Sequence, residues 1–351
     1  MRTALAALLA CLLASDGLHG VGCDPIGKAT FICGLESPED LVAVPGSDWI
    51  VVSGYEGTGA LNLANARNGT IVQVLPTTAL RVKPDPKNYP GCAGPPNVAD
   101  NTKFSAHGLN VRAGTNRVHT LYVVHHGFRE SIEVFELDAR PAVPTVTWTG
   151  CVVAPARAGL NGVAPLPGDG FVATNPYPFG DTGAARKLAQ SGQNSGDILE
   201  WHATSGWTVI PGSQAPAPNG VEVSEKGDWL YVNMWPVKKM MRLSRGQTPI
   251  KRDVIDVPFH PDNIRWHTDG TLIAGGHYAP NIPRAVECLR VQCHDAASRA
   301  ARIDPQTMRL KEIVNFPSNA FFFGATSAMQ VGKEIWIGSV RGDRVARVPL
   351  E

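Results

Sequence analysis

Six segments of the sequence share one pattern, and this repetition constrains the fold more than any other feature. Each has a polar residue near its start, followed by a short apolar alternation, a Gly- or Asp-rich turn and a second apolar run. Such a pattern is typical of β-hairpins. The segments are SPEDLVAVPGSDWIVVSGY from Ser37, SAHGLNVRAGTNRVHTLYVVHHG from Ser105, GLNGVAPLPGDGFVATN from Gly159, APNGVEVSEKGDWLYVNMW from Ala217, HPDNIRWHTDGTLIAGGH from His260 and GATSAMQVGKEIWIGSV from Gly324.

The chain between the hairpins supplies further strand-like runs, among them SIEVFELD, GDILEWHA and RVARVPL. Six units of about four strands each predict an all-β fold, a six-bladed β-propeller that extends over residues 21–351. Because one blade cannot bury both of its faces, the ring must close, and we expect KATFIC to pair with RVARVPL. A large β-sandwich is the competing architecture, but it predicts no recurrent polar residue in each hairpin.

The recurrent polar residues have a defined place in a propeller. The first strand of each blade lines the central channel, so its leading residue lies at one mouth of that channel. Polar side chains at strand entrances are costly one by one, whereas together they can form a site. The leading positions are Glu39, His107, Asn161, Asn219, Asp262 with Asn263, and Thr326 or Ser327.

The converging side chains offer oxygen atoms and no thiol. Two carboxylates, Glu39 and Asp262, are accompanied by the amides of Asn161, Asn219 and Asn263. Hard oxygen ligands in this number favour Ca²⁺, whereas Mg²⁺ demands stricter octahedral geometry and Zn²⁺ prefers His or Cys. We therefore predict a central calcium site. The alternative is that Asn and Asp stand here only as turn formers.

Histidines accompany the predicted metal ligands. His107 occupies the same ring of leading residues and is suited to activate a water molecule as a general base. LYVVHHG places His125 and His126 on the adjoining strand, where successive side chains point to opposite faces, so only one can face the channel. A neighbouring histidine can orient His107 or relay its proton. His277 is a weaker candidate for the pocket wall.

These motifs together resemble the serum paraoxonase/arylesterase family, calcium-dependent six-bladed propellers related to the gluconolactonase/regucalcin type. The resemblance rests on GLESPEDL, FSAHGLNV, LYVVHHG, GLNGVAPL with ATN, APNGVEV, PDNIRW and AGGHYAP. It implies that His107 is the base, that His126 rather than His125 is its partner, and that His277 is a pocket residue. The calcium ligands that it implies are Glu39, Asn161, Asn219, Asp262 and Asn263.

The resemblance also implies a second, structural calcium deeper in the channel. Its ligands here would be Asp40 and the carbonyl of Leu109, but Gly162 stands where the family has a further Asp. One carboxylate fewer should weaken a buried divalent ion, so the sequence predicts the catalytic calcium more strongly than the structural one.

The N-terminus and the cysteines indicate export. MRTALAALLACLLASDG has the layout of a secretory signal peptide over residues 1–20, and its apolar run is too short to span a bilayer. Lipid attachment at Cys11 is an alternative. Six cysteines remain, and proximity pairs Cys23 with Cys33 and Cys288 with Cys293, which leaves Cys92 with Cys151, although sequence alone does not determine pairing. CLRVQCH is alternatively half of a metal site.

Three hypotheses of function follow. The first is an exported, calcium-dependent hydrolase of lactones and aryl esters, acting on a small-molecule substrate through a His dyad. The second is a gluconolactonase- or regucalcin-type sugar lactonase with an acidic base. The third is a propeller that only binds a partner, with calcium as a structural ion. A net charge of +1 without a basic run disfavours nucleic-acid binding. The oligomeric state is left open.

Overall fold

The computed structural model describes residues 22–55, 60–97, 103–181 and 183–350. Along these residues six four-stranded antiparallel sheets follow one another, and their first strands contact each other around a central channel. The predicted six-bladed β-propeller is therefore confirmed. The predicted signal peptide over residues 1–20, with Cys11, lies outside the described residues. No helix in the described part of the chain has the length and apolar character needed to cross a membrane.

The strands are numbered in chain order, and β1 (Thr30–Cys33) precedes the first complete sheet. Blade 1 contains β2 (Pro38–Ala43), β3 (Trp49–Gly54), β4 (Leu61–Asn65) and β5 (Ile71–Leu75). Blade 2 contains β6 (Ala106–Arg112), β7 (Val118–His125), β8 (Ser131–Asp138) and β9 (Thr145–Val153). Blade 3 follows a short strand, β10 (Ala158–Gly159), and contains β11 (Val163–Pro165), β12 (Phe171–Asn175), β14 (Asp197–His202) and β15 (Gly206–Val209). Strand β13 (Tyr177–Pro178) pairs with β10.

The second half of the ring has the same plan. Blade 4 contains β16 (Pro218–Val223), β17 (Trp229–Met234), β18 (Lys239–Ser244) and β19 (Arg252–Asp256). Blade 5 contains β20 (His260–Trp266), β21 (Leu272–Tyr278), β22 (Ala297–Ile303) and β23 (Leu310–Pro317). Blade 6 contains β24 (Ala325–Val331), β25 (Glu334–Ser339) and β26 (Arg344–Pro349), with β1 as its outer strand. The α-helices are α1 (Ala184–Gln190) and α2 (Ile282–Cys288), and 3₁₀ turns span Thr115–Arg117 and Trp235–Val237.

The core is divided into six apolar layers, each formed by two consecutive blades. Strand β3 explains how the sequence builds two of these layers at once. Val51 packs into the layer shared with blade 2, whereas its neighbour Val52 packs into the layer shared with blade 6. Because successive side chains of a strand point to opposite faces, a strand buried on both sides reads as a continuous apolar run. Trp336 and Leu41 close the last layer between blades 6 and 1.

The ring closes through backbone pairing and disulfides secure its periphery. In blade 6, β1 pairs with β26 in the register Thr30 with Arg347 and Cys33 with Arg344, which confirms the predicted pairing of KATFIC with RVARVPL. Each of the three disulfides joins the cysteines that proximity had paired, so the alternative of half a metal site is wrong. The disulfides are Cys23–Cys33, Cys92–Cys151 and Cys288–Cys293.

Candidate active site at the channel mouth

Leading residues from different blades meet at one mouth of the channel. The Nδ2 of Asn263 in blade 5 donates to Oε1 of Glu39 in blade 1 over 2.7 Å. The Nε2 of His107 in blade 2 lies 3.8 Å from the same carboxylate oxygen. The Nδ2 of Asn161, at the entrance to blade 3, lies 3.4 Å from this imidazole nitrogen. These contacts join residues that are up to 224 positions apart in sequence.

Blades 4 and 6 complete the mouth in different ways. Asn219 at the entrance to blade 4 hydrogen-bonds the carboxyl group of Asp262. In blade 6 the hydroxyls of Thr326 and Ser327 donate to the backbone carbonyl of Glu39 over 2.6 and 2.8 Å. Blade 6 therefore holds the backbone that carries Glu39 through two hydroxyl groups.

A local irregularity of the inner strands brings two successive side chains to the channel. Regular alternation would turn only one of Asp262 and Asn263 inward, but the pairing of β20 with β21 shifts register between Pro261 and Ile264. A β-bulge of this kind re-aims a side chain and is frequent beside functional sites. Corresponding shifts occur at the entrances of β2, β6, β16 and β24.

Glycines after the leading residues let the blades approach closely at the mouth. A Cβ at Gly108 would lie 2.2 Å from the carbonyl oxygen of Asn161, and one at Gly220 would lie 2.4 Å from that of Asp262. Gly162 has the same role, because its Cβ would lie 2.9 Å from the carbonyl oxygen of Asn219. The Asp that the resemblance leads one to expect at position 162 would therefore not fit here.

The oxygen atoms at the mouth fit a hard cation. Oε2 of Glu39, Oδ1 of Asn161 and Oδ1 of Asn219 are buried, and none has a hydrogen-bond partner among the described residues. A buried acceptor without a partner costs roughly 1–3 kcal/mol, so three in one cluster call for a common ligand. Carboxylate and amide oxygens are the ligands of Ca²⁺, and Asp262 and Asn263 add further oxygens to the set.

The charges at the mouth point to the same need for a cation. Burial, followed by repulsion from Asp40 and Asp262, raises the pKa of Glu39 well above its ordinary value. Burial, followed by repulsion from Asp40, raises the pKa of Asp262 to about 8. Two carboxyl groups whose ionisation is disfavoured by burial and by neighbouring carboxyl groups would both be stabilised by a divalent cation between them.

A chain of hydrogen bonds leads from His107 away from the mouth. The Nδ1 of His107 lies 2.8 Å from Nε2 of His126, and the Nδ1 of His126 lies 2.8 Å from Oε2 of Glu130. The other carboxylate oxygen, Oε1 of Glu130, accepts from the backbone N–H of Leu160 over 2.6 Å. Burial, with a smaller contribution from His126, lowers the pKa of His107 well below its ordinary value. The ring of Tyr55 packs against that of His107, with the two ring centroids 4.3 Å apart.

The other two predicted histidines lie behind the mouth. His125 is buried against Phe104 and Phe128, and its Nδ1 lies 2.8 Å from the carbonyl oxygen of Arg129. His277 is 1% exposed and packs against Trp235, with its Nε2 3.3 Å from the carbonyl oxygen of Ala285. The described contacts thus place His277 in the wall and not in the cluster of oxygens.

Burial of His277 predicts a loss of stability in acid. Burial, followed by repulsion from His260, lowers the pKa of His277 to about 3. His277 of the unfolded chain binds a proton below about pH 6.5, whereas His277 of the folded chain does not until about pH 3. The free energy of unfolding is therefore unaffected by this histidine above pH 6.5 and decreases as the pH falls from about 6.5 toward 3. The slope is about 1.4 kcal/mol per pH unit. We expect the melting temperature of His277→Gln to fall less between pH 6.5 and pH 5 than that of the wild type.

The exposed His294 provides the control for this prediction. His294→Gln should follow the wild-type curve, because the side chain of His294 is not buried in the folded chain. If His277→Gln and the wild type lose melting temperature in parallel, His277 is not held neutral by the fold.

The residues proposed for a second calcium do not fit a metal ion. The Nη2 of Arg265 donates to Oδ2 of Asp40 and, over 2.8 Å, to the carbonyl oxygen of Leu109. Both oxygens that would hold the ion are thus already bound to a cationic side chain. The expectation of a structural calcium at Asp40 and Leu109 is not supported by this arrangement.

Three residues of the site escaped the sequence reasoning. Glu130 follows His126 by four positions in HHGFRES, and no local pattern distinguishes it from a surface carboxylate. Arg265 stands two positions after Asn263, on the same face of a strand, so alternation could have indicated that it faces the channel. Tyr55 closes the first hairpin repeat, where an aromatic residue gives no functional signal by itself.

The fold and the channel mouth define a six-bladed β-propeller with a polar site on its axis, and solved structures share this fold. No family model matches the sequence, and no curated protein is significantly similar to it. A luciferin-regenerating enzyme is 12% identical, with a TM-score of 0.53, and the match covers 90% of this chain and 92% of that one. A proposed gluconolactonase is 12% identical, with a TM-score of 0.52 and coverages of 93% and 95%. Virginiamycin B lyase from Staphylococcus aureus is 11% identical, with a TM-score of 0.50 and coverages of 92% and 99%. At these identities the likeness establishes the fold alone.

Proposed function

We propose that this protein is an exported, calcium-dependent hydrolase of lactones and aryl esters. The observation that carries the proposal is the meeting of a hydrogen-bonded His107–His126–Glu130 chain with buried oxygen atoms that have no partner. The residues that would hold Ca²⁺ are Glu39, Asn161, Asn219, Asp262 and Asn263. When bound there, Ca²⁺ would polarise the substrate carbonyl and stabilise the negative charge that develops on its oxygen.

The hydrogen-bond chain sets the proton position on His107. Glu130 accepts the Nδ1–H of His126, so Nε2 of His126 is left to accept the Nδ1–H of His107. His107 then carries a lone pair on Nε2, which faces the mouth beside Glu39 and Asn161. This nitrogen can take a proton from an attacking water and later return it to the leaving oxygen. The positive charge that appears on the imidazole is balanced through His126 by Glu130.

Glu130 is a positioning residue in this mechanism, and Glu130→Gln tests it. The glutamine amide would donate to Nδ1 of His126, which reverses both tautomers and leaves a hydrogen on Nε2 of His107. We expect kcat to fall about 100-fold while the melting temperature and the calcium affinity change little. The measurement is lactone hydrolysis by Glu130→Gln and Glu130→Asp, the latter retaining much of the activity because it keeps an acceptor. Equal losses in both variants would assign Glu130 a purely structural role.

The neighbouring structures and the disulfides support the wider proposal. A proposed gluconolactonase shares the propeller, so a lactone substrate is compatible with this fold, and the His107–His126–Glu130 chain favours hydrolysis over a propeller that only binds a partner. The same likeness supports the second candidate, a sugar lactonase that uses a carboxylate instead of His107 as its base. Three disulfides fit an oxidising compartment, so we propose a secreted or periplasmic location, with a lipid anchor at Cys11 as the less favoured arrangement.

The decisive experiment is hydrolysis of phenyl acetate and of a panel of aliphatic and sugar lactones, each with calcium and with a chelator. We expect calcium-dependent turnover of aliphatic lactones and of phenyl acetate. Turnover of sugar lactones alone would favour the gluconolactonase type. The absence of any turnover with calcium present would contradict catalysis and favour a binding module.

A further inference from the structure

A buried arginine occupies the channel one layer below the mouth. Arg265 is 7% exposed, and its guanidinium has a partner at every nitrogen. Nη2 donates to Oδ2 of Asp40 and to the carbonyl oxygen of Leu109, while Nε donates to the carbonyl oxygen of Leu41 over 2.9 Å. Nη1 donates to the carbonyl oxygen of Ile264 over 2.7 Å and lies 3.8 Å from Oε1 of Glu222. A guanidinium with this many acceptors is held in one orientation.

The acceptors come from separate blades, so Arg265 ties the ring together across its axis. Asp40 belongs to blade 1, Leu109 to blade 2 and Glu222 to blade 4, whereas Arg265 itself belongs to blade 5. Asp40 is further fixed by the backbone N–H groups of Leu41, at 2.8 Å, and Leu109, at 2.7 Å. The positive charge of Arg265 thus lies between the buried carboxyl groups of Asp40 and Glu222. A buried carboxylate without a cationic partner would be costly in free energy.

We propose that the guanidinium of Arg265 is a built-in cation that takes the place of a second metal ion at the hub of the propeller. A calcium ion bound to Asp40 and Leu109 would need distances of about 2.3–2.6 Å to oxygens that both already bind Nη2. The metal and the guanidinium would occupy the same space and would repel each other. The hub is therefore held by a side chain, and it persists when divalent ions are removed.

This inference does not require an ion at the mouth, so it can be tested apart from the proposed function. Crystals of the wild-type protein would be soaked in Mn²⁺, and anomalous density would locate every bound ion. We expect no peak within about 3 Å of Oδ2 of Asp40, whether or not a peak appears beside Glu39. A peak beside Asp40 overturns the inference, whereas a missing peak at Glu39 would count only against the proposed function.

A second measurement uses Arg265→Met, which keeps much of the side-chain volume and removes the charge. We expect its melting temperature to fall by about 5 °C, by the same amount in calcium and in chelator. Arg252→Met is the matched control, because Arg252 is exposed and its Nη1 donates to the backbone carbonyls of Gly212 and Gln214, in the loop between blades 3 and 4. A melting temperature of Arg265→Met equal to that of the control would overturn the inference. If Arg265→Met does not fold, the wild-type crystal still decides.

Discussion

His107→Gln is expected to lower kcat for lactone hydrolysis by about 100- to 10,000-fold, which is the usual contribution of a general base. Glutamine fills a similar volume and can still donate to Nε2 of His126, but it has no basic nitrogen to face the mouth. The calcium affinity and the melting temperature should stay close to those of the wild type, since His107 is not among the oxygen donors. The measurement is steady-state hydrolysis of phenyl acetate and of an aliphatic lactone at saturating calcium.

His267→Gln is the matched control for this variant. His267 also stands on a hairpin next to the channel, but it lines a cavity of about 600 Å³ at the opposite mouth. Its replacement should leave turnover unchanged. Full activity of His107→Gln would remove the histidine from the mechanism and favour the sugar lactonase type, in which a carboxylate is the base.

Asn219→Ala is expected to abolish calcium-dependent hydrolysis and to weaken calcium binding by about 100-fold or more. The reason is that Oδ1 of Asn219 is one of the buried oxygens without a partner, and the amide also hydrogen-bonds Asp262. An ion that binds only the folded ring stabilises it by about 2.7 kcal/mol at 100 times its Kd. For a chain of this size that corresponds to a rise of roughly 4 °C in melting temperature.

The measurement compares thermal melting in calcium and in chelator for the wild type, Asn219→Ala and Asn194→Ala. Asn194 is exposed and distant in sequence from the channel entrances, so its variant should melt and hydrolyse like the wild type. Wild-type protein in chelator should melt at a lower temperature but remain folded, because Arg265 still joins the blades. A calcium-dependent shift that survives in Asn219→Ala would show that this residue is not a ligand.

Much of the fold could be read from local patterns. Alternating apolar residues and Gly- or Asp-rich turns specify hairpins. Six such hairpins, with KATFIC and RVARVPL as the closing pair of strands, specify a closed ring. The same repetition identified Glu39, Asn219 and Asp262 as residues that meet, because equivalent positions of equivalent blades lie near one axis. Even the pairing of the cysteines followed their spacing, since each disulfide joins the partners that proximity had suggested.

What the sequence by itself determined was therefore the number of blades, the closure of the ring and the polar character of its mouth. The tertiary structure alone decided that Asp262 and Asn263 both face the channel, that Glu130 supports His126, and that Arg265 reaches Asp40 and Leu109. The physical reason is that the local sequence pattern determines the backbone conformation of each segment and the face of that segment that is buried. Partners across the axis, such as Arg265 and Leu109 at a separation of 156 positions, depend on bulges and on how closely the blades pack.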